Sequence, residues 1–106
     1  MKFGLYKNIL RPLKTKFDIF NFWFTKRLWG FHNALLLFQT LHKESVIPVL
    51  KSNGACIGEN CDIETGLKFH NCDSFENLII GDNCHIGKNC FFDLRDRIEI
   101  GDNVVV

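Results

Sequence analysis

The sequence predicts a mainly β protein, a parallel β-helix of six-residue repeats, preceded by an α-helical N-terminal segment. A segment of the form Ile-Gly-Glu/Asp-Asn occurs three times, beginning at Ile57, Ile80 and Ile100. After the first two of these, a large apolar residue recurs every six positions. Residues 17–41, by contrast, are dense in apolar side chains with polar residues at helical spacing. The change of period therefore divides the chain into two structural parts.

A six-residue period corresponds to one short strand followed by one bend. We expect the apolar residue that opens each unit to point inward, and the smaller residue four positions later to do the same. Gly and Asn are expected at the bend because they tolerate positive φ at low cost. Three units make a coil of about 18 residues, as in known β-helices, and successive coils stack as parallel strands about 4.8 Å apart. The apolar positions that fit this scheme are 57, 63, 69, 80, 86 and 92.

The distances between the repeats predict where the coils are interrupted. The spacing from Ile57 to Ile80 is 23 residues and that from Ile80 to Ile100 is 20, so the two coils contain insertions of about five and two residues. We place these insertions within residues 70–77 and 94–99. In this alignment one stack holds Asn60, Asn83 and Asn103, and a second holds Cys61, Cys84 and Val104.

The five cysteines are expected to be ordinary thiols. No CxxC pair occurs, the number is odd, and the N-terminus lacks the apolar core and cleavage site of a secretory leader. We therefore expect a reduced, cytoplasmic setting and no metal site. The fifth position of a repeat unit holds Cys61, Cys84 and Cys90, which we interpret as small inward-facing core residues rather than reactive thiols or ligands.

The two parts of the chain differ in charge, and we treat them as two domains. A helical N-terminal cap is predicted over residues 1–54, with a second short helix from Glu44 to Ser52, and β-helix coils are predicted over residues 55–106. Residues 1–51 hold nine Lys/Arg and two Asp/Glu, a net charge of +7, whereas the remainder holds four and ten, a net charge of −6. The acidity of the repeats argues against a nucleic-acid partner.

The basic first part leaves two interpretations open. Aromatic residues are flanked there by Lys14, Lys16, Lys26 and Arg27, as in helices that lie on anionic membranes. Peripheral membrane contact through residues 1–41 is one interpretation, and a cap over the open first coil is the other. A transmembrane helix is not expected, because the longest uncharged run, residues 28–41, is shorter than the roughly 20 residues that span a bilayer.

The repeats resemble those of the hexapeptide-repeat acyltransferases, most closely the O-acetyltransferases of sugars and polysaccharides. The resemblance rests on residues 80–90, Ile-Gly-Asp-Asn-Cys-His-Ile-Gly-Lys-Asn-Cys, and on the unit at residues 98–106, and it covers about half of the chain. It implies a left-handed coil, a homotrimer with active sites between neighbouring prisms, and a sugar or glycan acceptor. It also implies acetyl-CoA, or another acyl-CoA, as a co-substrate, with no tightly bound cofactor.

The resemblance also implies a catalytic histidine that takes the proton of the acceptor hydroxyl. In the family this residue follows the Ile-Gly-Asp-Asn-Val unit by roughly a dozen positions, so it is expected beyond residue 106 and the 106-residue chain is expected to be inactive. Within the chain, His85 and His70 are the histidine candidates. We expect His85 to face outward and to bond Asp62 one coil below, and His70 to begin the inserted corner.

By the same resemblance, Asp93 is the acceptor-side candidate, with turn capping as its alternative role. The alternative to an O-acetyltransferase is a non-catalytic β-helix scaffold, an assembly module or a truncated inactive product.

Overall fold

Three helices precede seven short strands in the computed structural model, which describes residues 11–106. The helices are α1 (Arg11–Trp29), α2 (Phe31–Phe38) and α3 (Lys43–Ser52). The strands are β1 (Cys56–Ile57), β2 (Asp62–Ile63), β3 (Lys68–His70), β4 (Leu78–Ile80), β5 (His85–Ile86), β6 (Phe91–Asp93) and β7 (Ile98–Ile100).

The strands form three parallel ladders that the chain visits in turn. The ladders are β1-β4-β7, β2-β5 and β3-β6. Their register pairs Ile57 with Ile80 and Ile80 with Ile100, and it also pairs residue 63 with residue 86 and residue 69 with residue 92. The stacking expected from the six-residue period is therefore present as short parallel strands, whereas the left-handed sense of the coil stays a prediction.

Both insertions lie where the repeat distances place them. The first coil departs from the regular spacing between His70, the end of β3, and Leu78, the start of β4. The second departs from it between Asp93, the end of β6, and Ile98, the start of β7. Before each insertion, where the six-residue spacing is strict, the strands pair residue for residue.

The bends confirm the expectation for asparagine and for Gly66, which has a φ of 77°, but correct it for the glycines that follow the isoleucines. Asn60, Asn83 and Asn103 adopt φ values of 58°, 58° and 60°. The glycines that follow the isoleucines, Gly58 and Gly81, are not in the positive-φ region, so the explanation by backbone freedom is wrong for them. These glycines are instead required by close stacking, because a Cβ at Gly58 would lie 2.7 Å from the carbonyl carbon of Gly81.

The stacked cysteines face the core as expected. Cys84 is buried, while Cys61 and Cys90 are half-buried against the same core. The Sγ of Cys61 donates to the carbonyl oxygen of Gly81 at 3.0 Å, and the Sγ of Cys84 donates to that of Gly101 at 2.9 Å. All five cysteines are free thiols.

The apolar stretch predicted as helix over residues 17–41 is two helices rather than one. Gly30 adopts a φ of 87°, which ends α1 and turns the chain into α2. A residue with a side chain would be strained in that conformation. Among the described residues, no helix combines the length and apolar character that crossing a bilayer requires.

One hydrophobic core joins the helices to the coils. The Phe38 ring of α2 meets the Phe69 ring of β3 with 5.7 Å between centroids, and α3 packs beside β1 and β2. Phe75, from the first insertion, is fully buried between these parts. The helices therefore cover the first coil, as the capping interpretation requires.

Candidate functional site

The candidate residues lie on two different ladders. His70 and Asp93 end the paired strands β3 and β6 and are register partners. His85 begins β5 and pairs in register with Asp62 on β2. The structure thus brings His70 and Asp93 together and places His85 on another side of the coils.

His85 makes the bond to Asp62 that its position predicts. Its Nδ1 lies 2.9 Å from Oδ2 of Asp62, and the His85 side chain is partly exposed. Because the hydrogen bond engages Nδ1, Nε2 is the ring nitrogen left to exchange a proton with a ligand. A carboxylate that orients an imidazole is a common arrangement of a general base.

The same carboxylate contacts a lysine that the sequence did not single out. Lys43 Nζ, at the start of α3, lies 2.6 Å from Oδ1 of Asp62 and 3.0 Å from Oε2 of Glu64. The hydrogen bond from Lys43 is the main reason that the pKa of Asp62 lies below its usual value, and the bond with His85 lowers this pKa further. Asp62 therefore stays ionised and links α3 to the β2–β5 ladder.

Asp93 forms hydrogen bonds with groups at the same corner of the coils. Its Oδ1 accepts hydrogen bonds from Asn71 Nδ2 and from the backbone nitrogen of Arg95, each at 3.0 Å. These two bonds, that of Asn71 first, lower the pKa of Asp93. This is the geometry of a turn-capping aspartate, and the second carboxylate oxygen is 3.7 Å from Nη2 of Arg95.

An open groove of about 960 Å³ lies between α2 and the first insertion. Its apolar lining includes Phe31, Leu36 and Phe69. Most of the lining residues are polar: His32, Gln39, Lys68, His70, Asn71, Asp73, Ser74, Glu76, Asn77 and Arg95. Such a lining favours a ligand with many hydrogen-bonding groups.

His70 is the histidine candidate that lines this groove. The imidazole rests against the Phe91 ring with 4.6 Å between centroids. Asp93, its neighbour in the ladder, is not among the lining residues, although Asn71 and Arg95, which bond to it, are. The sequence pattern did not predict the groove, because one of its sides is α2, which lies 30 or more residues earlier in the chain.

The thiol that lines the groove is not activated. Burial, together with the nearby charges of Asp73 and Asp93, raises the pKa of Cys72 to about 11. A nucleophilic cysteine needs the opposite shift. Within residues 11–106, no cluster of His, Cys, Asp and Glu side chains has the arrangement to hold a metal ion.

Comparison with known proteins supports one part of the sequence resemblance. The family model described as the hexapeptide repeat of succinyl-transferase matches residues 77–106. No curated protein and no solved structure matches the chain. The matched segment begins at the end of the first insertion and includes β4 to β7. Residues 77–106 are therefore similar to the hexapeptide repeat of the succinyl-transferases.

Proposed function

We propose that the protein is an acetyl-CoA-dependent O-acetyltransferase acting on a sugar or polysaccharide precursor. The observation on which the proposal rests is the hexapeptide-repeat match at residues 77–106, which suggests acyl transfer as the class of reaction. The register of the three ladders agrees with such repeats over the first two coils. The left-handed coil and a homotrimeric assembly belong to the same proposal.

The proposed reaction moves an acetyl group from a thioester to an alcohol. A histidine base takes the proton of the acceptor hydroxyl while the oxygen attacks the thioester carbonyl. The carbon–sulfur bond then breaks, and the thiolate of coenzyme A takes up a proton. The products are the acetylated sugar and the free thiol of coenzyme A.

The groove beside the first insertion is the proposed acceptor site. Its amide, carboxylate and imidazole groups match the alternating donors and acceptors of a sugar, and Phe31 offers an apolar face to the ring. In this proposal His70 contacts the acceptor and Asp93 stabilises that corner through Asn71. The resemblance assigns the base to a histidine beyond residue 106, and His85, bonded to Asp62, is the alternative base within the chain.

The test measures thiol release from acetyl-CoA with a panel of sugars. It compares the 106-residue chain with a chain extended through any downstream reading frame. Activity in the extended chain alone would support the base beyond residue 106, whereas activity in the shorter chain would assign it to His85 or His70. Absence of transfer in both, with every acceptor, would favour the non-catalytic scaffold.

Variants of the active chain then test the acceptor site. We expect His70→Asn to raise KM for the sugar, because the lost imidazole lines the groove. His42→Asn is the matched control, since His42 is an exposed histidine at the start of α3. An unchanged KM for the sugar in His70→Asn would place the acceptor elsewhere.

A further inference from the structure

Helix α1 has one face buried against the rest of the protein. Phe22 is fully buried and its ring packs against those of Phe31, Phe38 and Phe75 at centroid distances of 5.9 to 6.2 Å. Asp18, on the same face, accepts a hydrogen bond from Ser45 Oγ at 2.6 Å. This face of α1 therefore packs against α2, α3 and the first insertion.

The opposite face of α1 is apolar and exposed. Five large side chains along it are between 44% and 60% exposed, and their spacing of four, three, four and four residues places them on one stripe of the helix. We call this the outer stripe: Leu13, Phe17, Phe20, Phe24 and Leu28. Trp23, 46% exposed, extends the apolar surface beside it.

The charges around the outer stripe are positive. Lys16 and Arg27 are exposed, and Lys14, also exposed, forms an ion pair with Asp18 at 3.4 Å. Lys26 is half-buried, and Asp18, the one acidic residue of α1, lies on the buried face. Two of the cations lie over aromatic rings of the outer surface, Lys14 over Phe17 at 6.0 Å and Arg27 over Trp23 at 5.8 Å. An exposed aromatic stripe with cations at its edges has the composition of a helix in a membrane interface.

A shallow groove beside the outer stripe has lysines at which an anion can bind. It encloses about 330 Å³ and is lined by Lys16, Lys26, Phe20, Trp23, Ile19 and Asn53. Two lysines therefore flank an apolar slot, an arrangement that suits a phosphate headgroup with its acyl chain beside it. Lys26 also donates to Asn53 Oδ1 at 3.1 Å, which fixes its position next to the slot.

We propose that α1 docks the protein on an anionic membrane surface, with the outer stripe among the upper acyl chains and with Lys16 and Arg27 at lipid phosphates. Charge complementarity favours this occupant over a second copy of the chain, because two such faces would bring cations of equal sign together. The helix lies in the plane of the interface over a length of about 28 Å. The sequence interpretation of membrane contact included residues 1–10, which lie outside the described residues.

The test is vesicle flotation, in which bound protein rises with the lipid and aggregates do not. We expect the 106-residue chain to float with vesicles of phosphatidylcholine and phosphatidylglycerol and to remain behind with phosphatidylcholine alone. The double variant Lys16→Gln/Arg27→Gln should bind the anionic vesicles at least about tenfold more weakly, because each cation near an anionic surface contributes about 1 kcal/mol. Raising the salt concentration should weaken binding of the unaltered chain in the same direction.

The apolar part of the proposal has a matched control. Phe20→Ser/Leu28→Ser should reduce binding at least about tenfold, because two large side chains no longer leave water. The control Phe91→Ser changes a phenylalanine that is as exposed as Phe20, 58% against 57%, but lies on β6, so binding should be unchanged. Circular dichroism of both variants verifies that the helices are intact.

Intrinsic fluorescence supplies an independent readout, because Trp23 borders the outer stripe of α1. We expect the Trp23 emission, measured in a Trp29→Phe variant, to shift to the blue on addition of anionic vesicles and to be quenched by brominated lipid. The proposal is overturned if the unaltered chain does not float with anionic vesicles, or if Phe20→Ser/Leu28→Ser floats equally well. If the unaltered chain does not bind vesicles but forms an oligomer that Phe20→Ser/Leu28→Ser does not form, the outer stripe is a contact with a second copy of the chain.

Discussion

The glycines of the repeat lie where neighbouring coils approach most closely. A Cβ at Gly58 would lie 2.7 and 2.8 Å from the carbonyl carbon and oxygen of Gly81, and it would also meet the Asp82 side chain. The backbone nitrogen of Glu59 donates to Asp82 Oδ1 at 2.8 Å across the same contact. The glycine thus allows an aspartate of the next coil to reach the backbone below, a bond that Asp102 repeats with Asp82.

At this position we expect Gly58→Ala to lower the free energy of unfolding by about 1–3 kcal/mol, the cost of forcing atoms into a packed site. Gly101→Ala is the control, because a Cβ there meets nothing within 4 Å. That variant should be neutral or slightly stabilising in urea unfolding of the 106-residue chain. Equal losses in the two variants would contradict the stacking explanation.

The six-residue period predicts the position of some residues and not of others. The period of six placed Asn60, Asn83 and Asn103 in one stack, and all three adopt the same positive φ. It could not predict that Phe75, within a polar insertion, is fully buried, because its contacts come from helices far away in sequence. The candidate site shows the same limit: the spacing predicted the bond between His85 and Asp62, but not the groove that His70 lines.

Among the elements, α3 and β2 are joined by charge at the surface. Lys43 contacts both Asp62 and Glu64, whose side chains lie on and directly after β2. The bond from Lys43 lowers the pKa of Asp62 and, reciprocally, raises that of Lys43. The helix cap and the second ladder therefore share an interaction that depends on pH.

The pH dependence of this contribution to stability follows from the pKa shifts of Asp62 and Lys43. A carboxyl whose pKa is lower in the folded protein stabilises the fold above its usual value of 3.8, and this contribution is lost as the pH falls through the folded-state pKa. A lysine whose pKa is raised stabilises the fold below its usual value of 10.5, and loses the contribution as the pH rises through the folded-state pKa. The pair should thus contribute fully between these two usual values.

For this reason Lys43→Gln should unfold at a lower urea concentration than the unaltered chain at neutral pH. The difference should shrink as the pH falls below the usual pKa of Asp62 and vanish below its folded-state pKa. Both side chains are exposed, so a small effect is expected. Lys51→Gln, at an exposed lysine of the same helix, is the control and should show no such convergence. A difference that persists unchanged in acid would exclude the ion pair as its cause.

In the whole molecule, Phe75 joins the parts that the sequence treats as separate. Its ring lies within 4.9 to 5.9 Å, centroid to centroid, of Phe22 in α1, Phe31 and Phe38 in α2, and Phe69 in β3. The backbone nitrogen of Phe75 donates to the carbonyl oxygen of Asn53 at 2.9 Å, just after α3. The first insertion therefore anchors all three helices to the coils while its polar residues line the groove.

This arrangement predicts that helices and coils unfold together. Phe75→Ala should lower the free energy of unfolding by about 3–5 kcal/mol, as expected for a large aromatic side chain removed from a core. Such a loss is a large share of the roughly 5–15 kcal/mol that stabilises a domain. Phe91→Ala removes the same side chain from an exposed strand position and should change stability by less than about 0.5 kcal/mol.

The measurement is urea unfolding followed by two probes, the fluorescence of Trp23 and Trp29 for the helices and the labelling of the buried Cys84 thiol for the coils. Coincident transitions in the unaltered chain would indicate one cooperative unit. In Phe75→Ala we expect both transitions to shift to lower urea, and to separate if the ring is the main connection between the parts. Since the groove lies between α2 and the insertion that holds Phe75, this substitution should also weaken binding of the proposed sugar acceptor. Phe91→Ala tests separately whether the packing against His70 matters for that binding. Equal stability of the two alanine variants would show that the helices and the coils do not depend on this ring.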